Sequence, residues 1–130
     1  MTVLVDSDIL IEVFRGRDHA IVSAWTRLSE SANIVMYSPV SEAELWAGAR
    51  GGEHESLTRL LQILLCATID KETGHKAGGF LSQYAKSHGV KLGDALIAAG
   101  AVLNGAVLWT RNRKHYPMKD IRFHEPGAKG

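Results

Sequence analysis

The sequence predicts an α/β fold, a three-layer sandwich whose central parallel sheet has about five strands, and three observations carry that prediction. First, Val3-Leu4-Val5, Ile34-Val35-Met36-Tyr37, Cys66 to Ile69 and Ala106-Val107-Leu108-Trp109 are short apolar runs without polar alternation, as in strands covered on both faces. Second, the stretches between them repeat apolar residues every three or four positions, the period of a helix lying on a sheet. Third, those connections are too long for hairpins and suit crossovers between parallel strands.

Taken in order, Thr2 to Val5 is β-branched and apolar, stiff at Cβ, and stops at Asp6-Ser7-Asp8. Ser7 or Asp8 can cap a short helix, Ile9 to Phe14, that ends near Gly16. Asp18 opens a second helix with Ile21, Trp25 and Leu28 on one face, broken at Asn33. After the second strand, Ser38-Pro39 supplies an N-cap and an N1 proline for a helix running to about Arg50, where Gly51-Gly52 stops it. Leu57, Leu60, Leu61 and Leu64 mark the next helix, and the third strand is expected at Cys66 to Ile69. Asp70 caps a longer helix with Phe80, Leu81, Tyr84 and His88 at helical spacing and Gly89 as its C′ residue; Gly78-Gly79 in its middle suggests close packing. Leu92 to Leu103 is apolar almost all round and must be buried. Asn104-Gly105 turns into the fourth strand, and a fifth, Ile121 to His124, follows a basic loop. One domain is expected over 1–125, with 126–130 a frayed tail.

Composition narrows the function. The 130 residues are 45% hydrophobic and 22% charged, an ordinary globular balance, and a net charge of +1 removes the simple case for a basic nucleic-acid binder, so any such binding needs a local patch. The single Cys66 has no internal partner and, inside Ile63-Leu64-Leu65-Cys66-Ala67, is expected to be a small core residue in a reducing compartment. Six scattered histidines lack the close pairing of a zinc site. No signal segment or membrane span is evident, which points to a cytoplasmic protein.

Four carboxylates stand where solvated charge is a poor explanation: Asp6, Asp8, Glu44 and Asp94. Acids at the carboxyl end of a parallel strand point into the usual ligand crevice of such sheets. Asp6 and Asp8 also suit simple caps, and Asp94 suits the N-cap of the buried helix. Glu44 belongs to a possible capping box with Ser41, but a start at Pro39 puts it inside the helix beside Val40, Ala43, Ala47 and Gly48, a face of small residues expected toward the core. Its rival Glu42 groups with Trp46 and Ala49. Two carboxylates brought to about 4 Å repel by about 4 kcal/mol at an effective dielectric near 20, so several at one edge call for a cation. Mg²⁺, or Mn²⁺, takes one or two carboxylates and leaves positions for phosphate oxygens and water, the chemistry of phosphodiester hydrolysis. Beyond the fourth strand, Thr110 and Asn112 can orient a water or phosphate, and Arg111, Arg113 and Lys114, with Lys119 and Arg122 nearby, form a local basic patch suited to a nucleic-acid backbone.

Four blocks together resemble the PIN-domain ribonucleases, and within them the VapC-type toxins of prokaryotic type II toxin-antitoxin pairs. They are Val3-Leu4-Val5-Asp6-Ser7-Asp8-Ile9-Leu10, Ser38 to Ala49, Gly93-Asp94-Ala95-Leu96-Ile97-Ala98-Ala99, and Thr110-Arg111-Asn112-Arg113-Lys114-His115-Tyr116. The resemblance implies an acidic triad of Asp6, Glu44 and Asp94, with Asp6 and Asp94 as direct Mg²⁺ ligands. It also implies an RNA substrate, a homodimer, and a small VapB-type antitoxin that places a basic side chain near the acids. Members often carry a further acid in the last block; here Asn112 and His115 stand there, which leaves Asp8 or water for that place.

Two other functions compete. The opening Asp-x-Asp also resembles haloacid-dehalogenase-type phosphatases, whose first Asp is a nucleophile, but that mechanism needs a later Lys and a close pair of acids where this chain has Asp94 alone. A non-catalytic PIN-like module that binds RNA or a protein is the alternative from a different class.

Overall fold

The computed structural model describes residues 1–127, and the last part of the expected tail, 128–130, lies outside them. Four strands form one parallel sheet: β1 (Thr2–Val5), β2 (Ile34–Tyr37), β3 (Leu65–Cys66) and β4 (Val107–Trp109), in the order β3-β2-β1-β4. Six α-helices connect and cover them: α1 (Ser7–Arg15), α2 (His19–Glu30), α3 (Pro39–Gly48), α4 (His54–Gln62), α5 (Lys71–His88) and α6 (Leu92–Leu103).

The strand period sorts the core into two halves. Val3 and Val5 face one way and pack with Ile9, Leu10, Ile21, Leu28, Leu45, Leu57 and Leu61 from α1 to α4. Leu4 and Leu108 face the other way and pack with Ala77 and Phe80 of α5 and Ala95 to Ala101 of α6. This is the three-layer sandwich the sequence predicts, and the apolar helix at 92–103 is buried along its middle, 95–101, while Leu92 and Leu103 at its ends are exposed. Cap chemistry fixes several boundaries. Asp18 and Asp70 accept from the amides of Ile21 and Thr73 at 3.2 and 3.0 Å. Gly16 and Gly89 close α1 and α5 at positive φ, 64° and 66°, where a side chain would be strained.

Several expectations are corrected. The fifth strand is a single parallel bridge, Leu108 to Phe123: Leu108 donates to the Arg122 carbonyl and accepts from His124, both at 2.8 Å, before Pro126 ends the run. The third strand is shorter and earlier than Cys66 to Ile69, because its pairing to β2 stops at Tyr37 and Cys66. As the last strand on that side, β3 leaves Leu65 and Cys66 exposed, so Cys66 is no core residue. Gly78 and Gly79 pack against nothing: a Cβ at either meets no atom within 4 Å. The tail is not free from its first residue, since Arg27 donates to the Pro126 carbonyl at 3.1 Å.

Candidate functional site

The register aligns the carboxyl ends of β1, β2 and β4, pairing Leu4 with Met36 and Val5 with Trp109. Asp6 therefore emerges next to Thr110, with its amide still on the Trp109 carbonyl at 2.9 Å. Because β1 pairs with β2 on one side and β4 on the other, this is the switch point of the sheet, where its crevice opens. There an open cavity of about 370 Å³ is lined by Asp6, Asp8, Glu44, Lys91, Asp94, Asn112 and His115, among others. The four carboxylates expected at one edge all line this cavity, Asp6 from the end of β1, Asp8 from α1, Glu44 from α3 and Asp94 from α6.

Asp6 is the N-cap of α1 and is buried, and its carboxylate is held on both sides. Oδ1 accepts from the Ser7 amide at 2.8 Å, and Oδ2 accepts from the Thr110 hydroxyl and the Tyr116 hydroxyl, each at 2.8 Å. Burial, then the nearby Asp6 charge, pushes the Tyr116 pKa far up, so the phenol keeps its proton as a donor. Asp8 ties down the loop after β4: its Oδ2 accepts from the Arg111 amide at 2.9 Å and the Asn112 side chain at 3.1 Å, and its Oδ1 from the Ile9 amide at 2.8 Å. Burial and then the Asp6 charge raise the Asp8 pKa, against the Arg111 and Ile9 amides and the Arg111 charge, which lower it. Thr110 and Asn112, expected to face a water or phosphate, thus bond the site's own carboxylates.

Glu44 arrives by a route different from the expected one. The face of Ala43, Glu44, Ala47 and Gly48 is exposed, and α3 turns Ser41 and Leu45 to the core instead. Glu44 reaches the cavity through Ser7, whose hydroxyl donates to Oε1 at 2.8 Å and lies 2.7 Å from the fully buried Ser41 hydroxyl. Glu42 is engaged elsewhere, accepting from Tyr37 at 2.8 Å and from the Trp46 indole. Asp94 is not the N-cap of α6, which is Lys91; it sits one turn in, 3.4 Å from the Lys91 amide, with His115 Nδ1 3.9 Å from its Oδ1. Gly93 faces α3, where a Cβ would lie in van der Waals contact, 3.4 Å, with Val40 Cγ1.

The basic loop is less free than its sequence suggests. Arg111 pairs with Glu12 and Asp18 at 3.5 and 3.8 Å, and Arg113 pairs with Glu125 at 3.1 Å while lying over Phe123. Lys114 is exposed with no ion pair among the described residues. Sequence reasoning missed Ser7, Lys91 and Tyr116: the first and last lie inside blocks singled out for neighbouring residues, and Lys91 carries no signal beyond preceding the α6 block.

The PIN domain family model matches residues 3–121. The chain is 36% identical over 119 residues to Ribonuclease VapC10 of Mycobacterium tuberculosis, covering 89% of this chain and 86% of that one. It is 29% identical over 116 residues to Ribonuclease VapC19 of the same species, covering 88% and 92%. Its fold superposes with a TM-score of 0.81 at 18% identity on a chain of the VapBC2 structure from Rickettsia felis, bound there to a promoter DNA fragment, over 95% of this chain and 98% of that one. The chain belongs to the PIN-domain family, and its curated relatives there are of the VapC type.

Proposed function

We propose that the chain is a Mg²⁺-dependent endoribonuclease, the toxin of a type II toxin-antitoxin pair, that hydrolyses RNA phosphodiester bonds at the acidic cavity. One observation carries the reading: Asp6, Glu44 and Asp94, from three separate elements, converge with Asp8 on one open cavity, where burial and Asp6 already disfavour the ionised form of Asp8. Like charges so placed fit a cation, and an all-oxygen donor set suits a hard divalent one. Among the described residues no three acids or histidines stand close enough to cage an ion as they are, so the ion proposed here must keep several waters and take one or two carboxylates.

Asp6 and Asp94 would hold the ion, with Glu44 beside them. Bound there, Mg²⁺ or Mn²⁺ would supply positive charge to phosphate oxygens and lower the pKa of a bound water. The chain's own groups do the rest. Tyr116 and Thr110 hold Asp6, Ser7 aims Glu44, and Asp8 fixes the 110–112 loop. Lys91, on the α6 side of the cavity, and Lys114, on the basic loop, are cations suited to phosphate oxygens without reading bases. Arg111 and Arg113 would first exchange their present carboxylate partners. The ribonuclease names of the VapC relatives support the activity, and the VapBC complexes among similar folds support a VapB-type antitoxin partner. A homodimer, toxin-antitoxin hetero-oligomers and a cytoplasmic location complete the proposal; no helix among the described residues is long and apolar enough to cross a membrane.

The test is RNA cleavage by purified protein with Mg²⁺, with chelator, and by Asp6→Asn and Asp94→Asn. Cleavage that needs the ion and both acids is the expected result; cleavage unchanged in chelator and both variants refutes it. RNA binding with no cleavage under any ion would assign the non-catalytic module instead. Growth arrest on expression, relieved by the VapB-type partner, tests the toxin role, and its absence under all conditions counts against it.

A further inference from the structure

We infer that Tyr116 is a positioning residue for the cation site: with Thr110 it occupies both lone pairs of Asp6 Oδ2, so that Asp6 meets a cation through Oδ1 alone. This rests on the metal-dependent reading above and goes beyond it by fixing how the principal acid is presented. The argument is a count. A carboxylate has about four lone-pair directions, two on each oxygen. On Asp6, Oδ2 accepts two hydroxyl protons at 2.8 Å, one from Thr110 and one from Tyr116, and Oδ1 accepts the Ser7 amide at 2.8 Å. Three directions are taken, and the remaining one is on Oδ1.

The hydroxyl inventory leaves no substitute for Tyr116. Thr110 has one hydroxyl proton; Asp6 Oδ2 at 2.8 Å takes it, Asp8 Oδ2 is 3.5 Å away, and the Thr110 oxygen itself accepts from the Asn112 amide at 3.0 Å. Thr110 therefore supplies one donor and no more. Tyr116 and Asp6 are both buried, so water is poorly placed to replace the phenol. Tyr116 is also independent of β4: it follows a short 3-10 turn, Arg113–His115, and reaches Asp6 from 110 residues away in sequence. Two hydroxyls from separate segments stop the carboxylate from turning to offer Oδ2 or from chelating through both oxygens. Groups that orient a metal's ligands in this way are worth about 10–100-fold in metal affinity.

The experiment measures Mn²⁺ binding to the full chain from the loss of the free-ion paramagnetic resonance signal, for wild type, Tyr116→Phe and Thr110→Val, with thermal melting as the check on folding. Cleavage of an RNA is followed in parallel against Mg²⁺ concentration. Tyr116→Phe keeps the ring and removes one donor. The expected result is a Mn²⁺ dissociation constant about tenfold weaker, with Thr110→Val weakened likewise because it frees the same oxygen. Cleavage by Tyr116→Phe then needs about tenfold more Mg²⁺ for half its maximal rate and recovers to within a few-fold of wild type at saturation, a split that general structural damage would not give. Should Tyr116→Phe fail to fold, Thr110→Val alone decides whether Oδ2 must be held. Wild type that binds Mn²⁺ and cleaves, with variants that bind as tightly as wild type or tighter, overturns this inference and leaves the nuclease reading standing. Wild type that neither binds Mn²⁺ nor cleaves overturns both.

Discussion

Replacing Ser7 by Ala tests how the cavity's third acid is held, and its cost can be worked out bond by bond. The Ser7 hydroxyl has one proton, and Glu44 Oε1, an acceptor only when ionised, takes it at 2.8 Å. In the 2.7 Å contact with Ser41, Ser41 must therefore be the donor, and the order is Ser41 to Ser7 to Glu44. Removing the Ser7 hydroxyl loses a bond to a charged group, worth about 1.5 kcal/mol at a site as open as that of Glu44. It also strands the Ser41 hydroxyl, fully buried, for about 1–2 kcal/mol more. One turn back the Ser38 carbonyl offers no rescue, because it already accepts from the amides of Ser41 and Glu42 at 2.9 and 3.1 Å. Ser7→Ala should cost about 3 kcal/mol, and Ser41→Ala, which leaves Ser7 bonded to Glu44, about 1 kcal/mol. In the double variant nothing is stranded, so it should cost about 1.5–2 kcal/mol, less than Ser7→Ala alone. Urea unfolding in chelator measures all three, with a midpoint shift of about 2 M expected for Ser7→Ala. Costs that simply add, about 4 kcal/mol for the double variant, would refute the donor order and the stranding argument together.

Further outcomes follow from the same geometry. Gly78→Ala and Gly79→Ala, at open positions inside α5, should each raise stability by about 0.5–1 kcal/mol in thermal or urea unfolding; a loss at either would mean that this helix face is covered in solution. Burial lowers the His124 pKa, so between its folded pKa and the ordinary 6.5 the unfolded chain binds more protons. Stability should then be full above about pH 6.5 and fall as pH drops toward the folded value; His124→Phe, keeping the edge-on ring against Trp109, should flatten that slope. The charged groups around His124 are Glu125, which opposes the shift, and Arg27, Arg111 and Arg113, which line the same groove. Asp8 has the opposite sign: its raised pKa favours the fold at low pH, between about 3.8 and its folded pKa, so the His124 slope is read as the difference between wild type and His124→Phe. Mg²⁺ at about ten times its dissociation constant should stabilise wild type by about 1.4 kcal/mol, and Asp94→Asn should abolish most of that gain in a melting assay.

The fold was legible where a local signal and burial agree. The run Val3-Leu4-Val5 must be a central strand because alternate residues face two different cores, and 95–101 must be a covered helix because it has no polar face. Legibility failed at the sheet's rims, where an apolar run no longer implies two covered faces. Ile63 and Leu65 read as core by composition and are 74% and 58% exposed: Ile63 is the C-cap of α4, and Leu65 lies on β3, the outermost strand, which pairs for two residues only. At the opposite rim, Ile121 to His124 lies parallel to β4 as expected, yet it pairs through a single bridge, Leu108 with Phe123.

The site shows a different limit. Periodicity places a residue on a helix face, but it does not say what that face meets. The sequence puts Glu44 on a small-residue face turned to the core, and that face is exposed; what brings Glu44 to the cavity is a serine on another helix, 37 residues earlier. Glu42 groups with Trp46 in the sequence, and that grouping holds physically, because the indole and the Tyr37 phenol engage its carboxylate. The difference is one of range. A partner four residues along the same helix is visible in sequence, whereas Ser7 with Glu44, Asp8 with Asn112, and Asp6 with Tyr116 are contacts across 37, 104 and 110 residues. In this fold the acids come one from each element and are found by their local surroundings. The neutral hydroxyls that hold them lie far along the chain from the acids they bond, Ser7 37 residues before Glu44 and Tyr116 110 residues after Asp6, and carry no local signal that pairs them. A substitution at Ser7 or Tyr116 that leaves every acid in place should therefore disturb the site nearly as much as loss of an acid's own neighbour in sequence.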